Sequence, residues 1–221
     1  MSNHLPVVET FHSIQGEGNH AGRGAFFIRL ANCSVGCPWC DTKNSWDVTK
    51  HPKKTISQLA NETLHASQKG ASFVVITGGE PLHHDLSQLC NAIRNSTQST
   101  NRKIIPIHLE TSGVNEITGN PNWITLSPKP HAPPNLNVLI SCHEIKVVIH
   151  SEKDIIFAEN IADKIKQLKH ESTKNPTSNN TFLYLQPGWD SQSGLRLALD
   201  YIKCNPKWRL SLQTHKWLNI K

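Results

Sequence analysis

Short unbroken apolar runs alternate, along most of this chain, with stretches whose apolar residues recur at helical spacing. The run Ala25-Phe26-Phe27-Ile28-Arg29-Leu30 predicts a strand, and Leu59, Ala60 and Leu64 then predict a helix near residues 55–68. Phe73-Val74-Val75-Ile76-Thr77 predicts a short buried strand ending in Gly78-Gly79-Glu80-Pro81. Leu86, Leu89, Cys90 and Ile93 mark the next amphipathic helix. Further strands are expected over 103–110, 123–126, 144–149, 181–185 and 208–213, with helices over 152–168 and 193–203. Helices are short or missing between 103 and 150, and the polar stretch 171–180, which contains Pro176, predicts a loose surface loop. Such alternation argues for βα units and a mainly parallel sheet, in one domain spanning residues 1–221.

A parallel sheet collects ligands at the carboxyl ends of its strands. The least ordinary polar sequences fall there. Cys33 to Thr42, Gly78-Gly79-Glu80, Glu110-Thr111-Ser112-Gly113, Ser127-Pro128-Lys129 and Leu185-Gln186-Pro187 each follow a predicted strand. The first holds Cys33, Cys37 and Cys40 within eight residues, with Gly36 and Pro38 suited to the turns that bring thiols together. A structural zinc site takes four ligands, and so does an ordinary four-iron four-sulfur cluster. Three thiolates leave one position open, where a substrate can bind. Spacing alone leaves open half of a zinc knuckle or a helix with surface thiols; several loops converging on one face of the sheet favour the cluster.

Composition narrows the setting. At 221 residues the chain is long enough for one full core, and 37% apolar with 18% charged residues suits a soluble globular protein. No window reaches the ~18 consecutive apolar residues that span a bilayer, and Met1 to Pro6 lacks a secretory pattern, so the cytoplasm is the expected location. In that reducing compartment three clustered cysteines favour metal ligation, while Cys90, Cys142 and Cys204 are expected in or near the core. The net charge of +6 is scattered, with a mild C-terminal bias from Lys203, Lys207, Arg209, Lys216 and Lys221. That bias suits an acidic electron-transfer partner, a nucleic acid, or simply a solvated surface.

Cys33-x-x-x-Cys37-x-x-Cys40 with Gly78-Gly79-Glu80-Pro81 resembles the radical S-adenosylmethionine superfamily. An ordered set of further marks narrows the resemblance. It runs from Phe11-His12-Ser13-Ile14-Gln15-Gly16-Glu17-Gly18 through Phe27-Ile28-Arg29-Leu30, Trp39-Cys40-Asp41-Thr42 and Ile76 to Leu82. It continues with Glu110 to Gly113, Ser127 to Lys129, Leu185 to Pro187 and Leu212-Gln213-Thr214-His215-Lys216-Trp217-Leu218-Asn219. In this order, over nearly the whole chain, they are similar to the 7-carboxy-7-deazaguanine synthase family. The resemblance implies a partial (β/α) barrel with shortened or missing helices in the middle. It implies a lyase that turns 6-carboxy-5,6,7,8-tetrahydropterin into 7-carboxy-7-deazaguanine, by radical ring contraction with loss of ammonia, for queuosine and other 7-deazapurines. It further implies a 4Fe-4S cluster, S-adenosylmethionine and Mg2+, a flavodoxin- or ferredoxin-like reductant and a homodimer. No direct contact with nucleic acid or membrane is expected.

The same resemblance assigns roles. Cys33, Cys37 and Cys40 would hold the cluster, and Thr42 the magnesium. Trp39, Cys40, Asp41, Gly78, Gly79, Glu80, Ser127, Pro128, Lys129, Gln186 and Pro187 would surround the sulfonium cofactor, with glycine permitting close main-chain approach. Ile14, Gln15, Gly16, Glu17, Arg29 and Thr77 would bind the pterin, Arg29 as a fork for its carboxylate. No protein acid or base is expected. On the residues alone, Arg29 inside an apolar strand equally suits an internal ion pair, and Glu17 is either a ring partner or exposed. His12 and His215 approach the site without a definable role, and His83-His84-Asp85 reads as a helix start rather than a second metal site. A glycyl-radical activase shares the cysteine spacing but has no need of Gln15-Gly16-Glu17-Gly18. A zinc-bearing nucleic-acid module is the alternative of another class.

Overall fold

The computed structural model describes residues 3–98, 104–172 and 181–221. A single open sheet organises them. Its strands, in chain order, are β1 (His4–Ile14), β2 (Gly24–Leu30), β3 (Lys53–Thr55), β4 (Phe73–Gly78) and β5 (Ile107–Thr111). Then follow β6 (Trp123–Leu126), β7 (Glu144–Ile149), β8 (Phe182–Pro187) and β9 (Trp208–Leu210). The helices are α1 (Ile56–Gln68), α2 (Ser87–Gln98), α3 (Leu136–Ser141), α4 (Glu152–Ser172), α5 (Gln192–Cys204) and α6 (Thr214–Trp217). In space the strand order is β3-β1-β2-β4-β5-β6-β7-β8-β9. From β2 onward every neighbouring pair is parallel, whereas β1 runs antiparallel to both β2 and β3. The sheet does not close on itself, so the architecture is a partial (β/α) barrel.

Side-chain alternation divides the strands into two faces. Ile28, Leu30, Val74, Ile76, Ile107, Leu109, Leu126, Ile145, Val147 and Leu185 lie in the main core with residues from the helices. Helix α1 starts at a capping box, where Thr55 accepts from the Gln58 amide and Gln58 returns the contact. The other face carries one polar residue near the carboxyl end of each of six adjacent strands: Arg29, Thr77, Glu110, Thr125, Lys146 and Gln186. Beneath them Ala25, Phe27, Phe73 and Val75 form a small apolar cluster. Phe73 stacks on His108 at 4.1 Å. Burial and the neighbouring His20 push the His108 pKa down to about 3.

The predicted strands at 123–126 and 144–149 are matched residue for residue. The predicted start at 103 lies outside the described residues; residues 104–106 are not strand, and β5 begins at Ile107, since Pro106 has no N–H to contribute to a ladder. Strand β9 ends at Leu210, three residues early, and α4 runs on to Ser172, taking in the first two residues of the expected loop. The rest of that loop lies outside the described residues. Strand β1 has no counterpart among the predicted elements. It mixes Glu9, Thr10, His12 and Ser13 with apolar residues because, near the sheet edge, it is only partly covered. Cys90 and Cys142 are buried, and burial pushes their thiols up to about 11. Cys204 corrects the expectation for the third: it is exposed, at the end of α5.

Candidate active site

The carboxyl ends of the parallel strands open onto a cavity of about 710 Å³. All residues expected to bind cluster, magnesium, cofactor or pterin line it, except Pro128. Two close approaches build its floor. The Gly78 and Glu80 region leaves β4 against the start of the cysteine loop, with Gly79 N–H donating to Leu30 O at 2.9 Å and Glu80 N–H to Asn32 O at 2.8 Å. A Cβ on Gly78, whose φ is +148°, would stand 2.1 Å from Leu30 O; one on Gly79 would stand 2.8 Å from Cys33 Cβ. The glycine pair thus seats the cysteine loop on the sheet. Glu80 is spoken for differently from expectation: its buried carboxylate accepts from Thr111 Oγ1 and Ser112 Oγ (both 2.5 Å), Ser112 N (2.7 Å) and Leu82 N (3.0 Å). Its side chain ties two strand ends together, and its main chain is engaged as well, the N–H by Asn32 O and the carbonyl by His83 N–H at 3.1 Å.

Burial raises the Cys33 and Cys37 thiols, and for Cys37 the buried Lys129 ammonium opposes that rise. Lys129 Nζ is held by Ser127 O at 2.6 Å and Ser127 Oγ at 2.7 Å. Among the described residues no three His, Cys, Asp or Glu side chains are gathered tightly enough for a single metal ion. Three thiols on one cavity wall beside a buried cation fit a multi-iron cluster, whose ligands spread over its corners. Both members of the His83-His84 pair brace the loop: His83 Nε2 accepts from Ser34 N at 3.3 Å, and His84 Nε2 donates to Ala31 O at 2.8 Å. Asp85 caps Ser87 N at 2.9 Å. Trp39 lies between His131 and His150, at 5.9 and 5.6 Å between ring centroids. Thr42 Oγ1 reaches the cavity 3.6 Å from Cys40 Sγ.

Elsewhere in the lining Glu110 Oε1 accepts from Gln15 Nε2 at 2.9 Å, and Oε2 from Thr77 Oγ1 at 3.2 Å. Arg29 Nε donates to Glu9 Oε1 at 3.1 Å, the internal ion pair that the strand context also allowed. Lys221 binds the other oxygen of Glu9 at 2.9 Å. Glu17 is not exposed: it pairs with Lys146 and accepts from Gln213 Nε2 at 3.1 Å. Burial alone would raise the Glu17 carboxyl, but the Lys146 ammonium outweighs it and holds the pKa down at about 2. His215 lines the cavity and closes over Gly16, where an added Cβ would be 2.3 Å from its Nδ1. His12 is exposed and stands apart from the cavity. Sequence reasoning gave no role to Glu110, Lys146, Glu9 or Gln213. Lys146 carried the same signal as Arg29, a charge within an apolar strand; Glu9 carried none.

Three cysteines on a loop after the first parallel strand, over an open barrel, define a radical S-adenosylmethionine protein, and residues 27–123 match the radical SAM superfamily model. That superfamily works with a 4Fe-4S cluster and S-adenosylmethionine. The chain belongs to the 7-carboxy-7-deazaguanine synthase family. It is 55% identical to the synthase of that name from Prochlorococcus marinus over the full length of both chains. With the Synechocystis relative it shares 44% identity, over 98% of this chain and 93% of the other. With the Escherichia coli relative it shares 32%, over 97% and 98%. A crystal structure of QueE from Escherichia coli superposes with a TM-score of 0.74 at 28% identity, covering 95% of this chain and 93% of that one.

Proposed function

We propose that this chain converts 6-carboxy-5,6,7,8-tetrahydropterin to 7-carboxy-7-deazaguanine with loss of ammonia, in the route to queuosine. The observation that carries the reading is the convergence of two different polar sets on one cavity. One is the three cysteines with Lys129; the other is Arg29, Thr77, Gln15 and Glu110. When bound, the cluster and S-adenosylmethionine supply the radical chemistry. The protein's own part is to bind, orient and exclude water. Cys33, Cys37 and Cys40 hold the cluster. Trp39, Asp41, the main chain of Gly78 to Glu80, Ser127, Lys129, Gln186 and Pro187 enclose the cofactor, and Pro128 shapes the turn between Ser127 and Lys129. Arg29 takes the pterin carboxylate through its terminal nitrogens, its Nε being anchored by Glu9. Ile14, Gln15 and Gly16 offer main-chain groups to the ring, and Thr77 and Glu110 face its polar edge.

Magnesium belongs to the same proposal, with Thr42 supplying one hard oxygen and substrate or water the others. So do a single domain, a homodimer, a flavodoxin- or ferredoxin-like reductant and a cytoplasmic setting. The test is anaerobic protein with a fully loaded cluster, S-adenosylmethionine, a strong reductant, Mg2+ and the carboxytetrahydropterin. Carboxydeazaguanine is the expected product. Its absence under these conditions overturns the reading.

A further inference from the structure

Five polar side chains of the cavity lining contact one another in sequence. Lys146 on β7 pairs with Glu17; Glu17 Oε1 accepts from Gln213 Nε2 at 3.1 Å; the same Nε2 stands 3.5 Å from Asp41 Oδ2; and Asp41 binds Lys216 Nζ at 2.5 Å. Gln213 Oε1 faces Lys216 Nζ at 3.4 Å, so the amide orientation is settled by its partners: nitrogen toward two carboxylates, oxygen toward an ammonium. Each carboxylate has its own lysine, and the two share one amide. Glu17 belongs to the turn between β1 and β2, immediately before the 3-10 helix Gly18–His20, and Asp41 lies between Cys40 and Thr42 in the cysteine loop. Thr214 fastens the same segment to the turn, its N–H and Oγ1 donating to Gly16 O at 3.1 and 2.9 Å.

We infer that Gln213 is a positioning residue that fixes the cysteine loop against the substrate turn, and so sets the pterin relative to the cofactor. The inference rests on the proposed synthase reading and deepens it. An apolar residue at this position would leave two carboxylates facing each other across a gap. They would separate, and turn and loop with them. The consequence is a substrate held loosely and out of register, with cofactor cleaved without product.

The test compares wild type with Gln213→Leu and Gln213→Glu. The first change removes the donor. The second is isosteric and sets a third carboxylate between two others. Pterin affinity is read by equilibrium dialysis against anaerobic, cluster-loaded protein without reductant, and coupling by 5′-deoxyadenosine released per carboxydeazaguanine formed. Both single variants are expected to bind pterin roughly tenfold or more weakly, as losing a hydrogen bond to a charged group does. Their 5′-deoxyadenosine per product should rise, Gln213→Glu being the worse. Variants with wild-type affinity and coupling would overturn the inference. Failure of wild type itself to form product would instead overturn the synthase reading.

Discussion

Replacing Lys146 by methionine keeps the length of the side chain and removes its ammonium, leaving the Glu17 carboxylate inside the protein without its main partner. Solvent offers little relief, since the two side chains are 7% and 14% exposed. The size of the effect follows from Glu17 itself. Its pKa falls from 4.5 to about 2 in the folded protein, which corresponds to about 3 kcal/mol of stabilisation at neutral pH. Breaking a buried pair by removing one partner costs a similar amount. For a chain of this length that lowers Tm by about 6–12 °C. The sign with pH is definite. In the wild type the depressed carboxyl contributes stability above pH 4.5 that is lost as pH falls toward 2. In Lys146→Met only the Gln213 hydrogen bond and the nearby His215 still oppose burial, so the Glu17 pKa rises from its depressed value. The deficit relative to wild type is therefore largest at neutral pH and shrinks on acidification. Thermal denaturation followed by circular dichroism, on anaerobic cluster-loaded protein from pH 5 to 8, measures this. Adding Glu17→Gln should restore most of the lost Tm, because the stranded charge is gone. A double variant no more stable than Lys146→Met would refute the argument.

Three further outcomes follow from the geometry. Arg29→Ala should weaken pterin binding roughly 10- to 100-fold, the loss of a charge-assisted fork, and equilibrium dialysis showing unchanged affinity would reject Arg29 as the carboxylate partner. Gly79→Ala forces a Cβ against Asn32 O (2.5 Å) and Cys33 Cβ, and should cost about 1–3 kcal/mol of stability while lowering the iron bound per chain; full iron content would show that the glycine pair does not seat the loop. His108, whose pKa is lowered to about 3 chiefly by burial, contributes stability above pH 6.5 that is lost as pH falls toward 3. His108→Phe should flatten the stability curve across that window, and a curve parallel to wild type would dismiss the assignment.

Local pattern was sufficient for the interior strands. Phe73 to Thr77, Trp123 to Leu126 and Glu144 to Ile149 are covered on both faces or nearly so, and a strand in that position reads as an apolar run. The motifs were legible for a related reason. Three cysteines in eight residues, or two glycines at a strand end, are local solutions to local geometry, and they survive in the order of the chain. Strand β1 was not legible, because a strand near the sheet edge that is only partly covered has no strict alternation. With it was lost Glu9, which anchors Arg29 from a strand 20 residues earlier.

Sequence by itself determined the class of chemistry: an open-cornered cysteine loop set at the end of a parallel strand, on a chain of alternating βα units. Tertiary structure decided which of its charges meet. Glu17 and Lys146 are 129 residues apart, and Gln213 and Asp41 172 apart, and no pattern along the chain marks any of them as partners. Short-range spacing reports what a segment buries, whereas the pairing of buried charges depends on how distant segments are brought together once the sheet has formed.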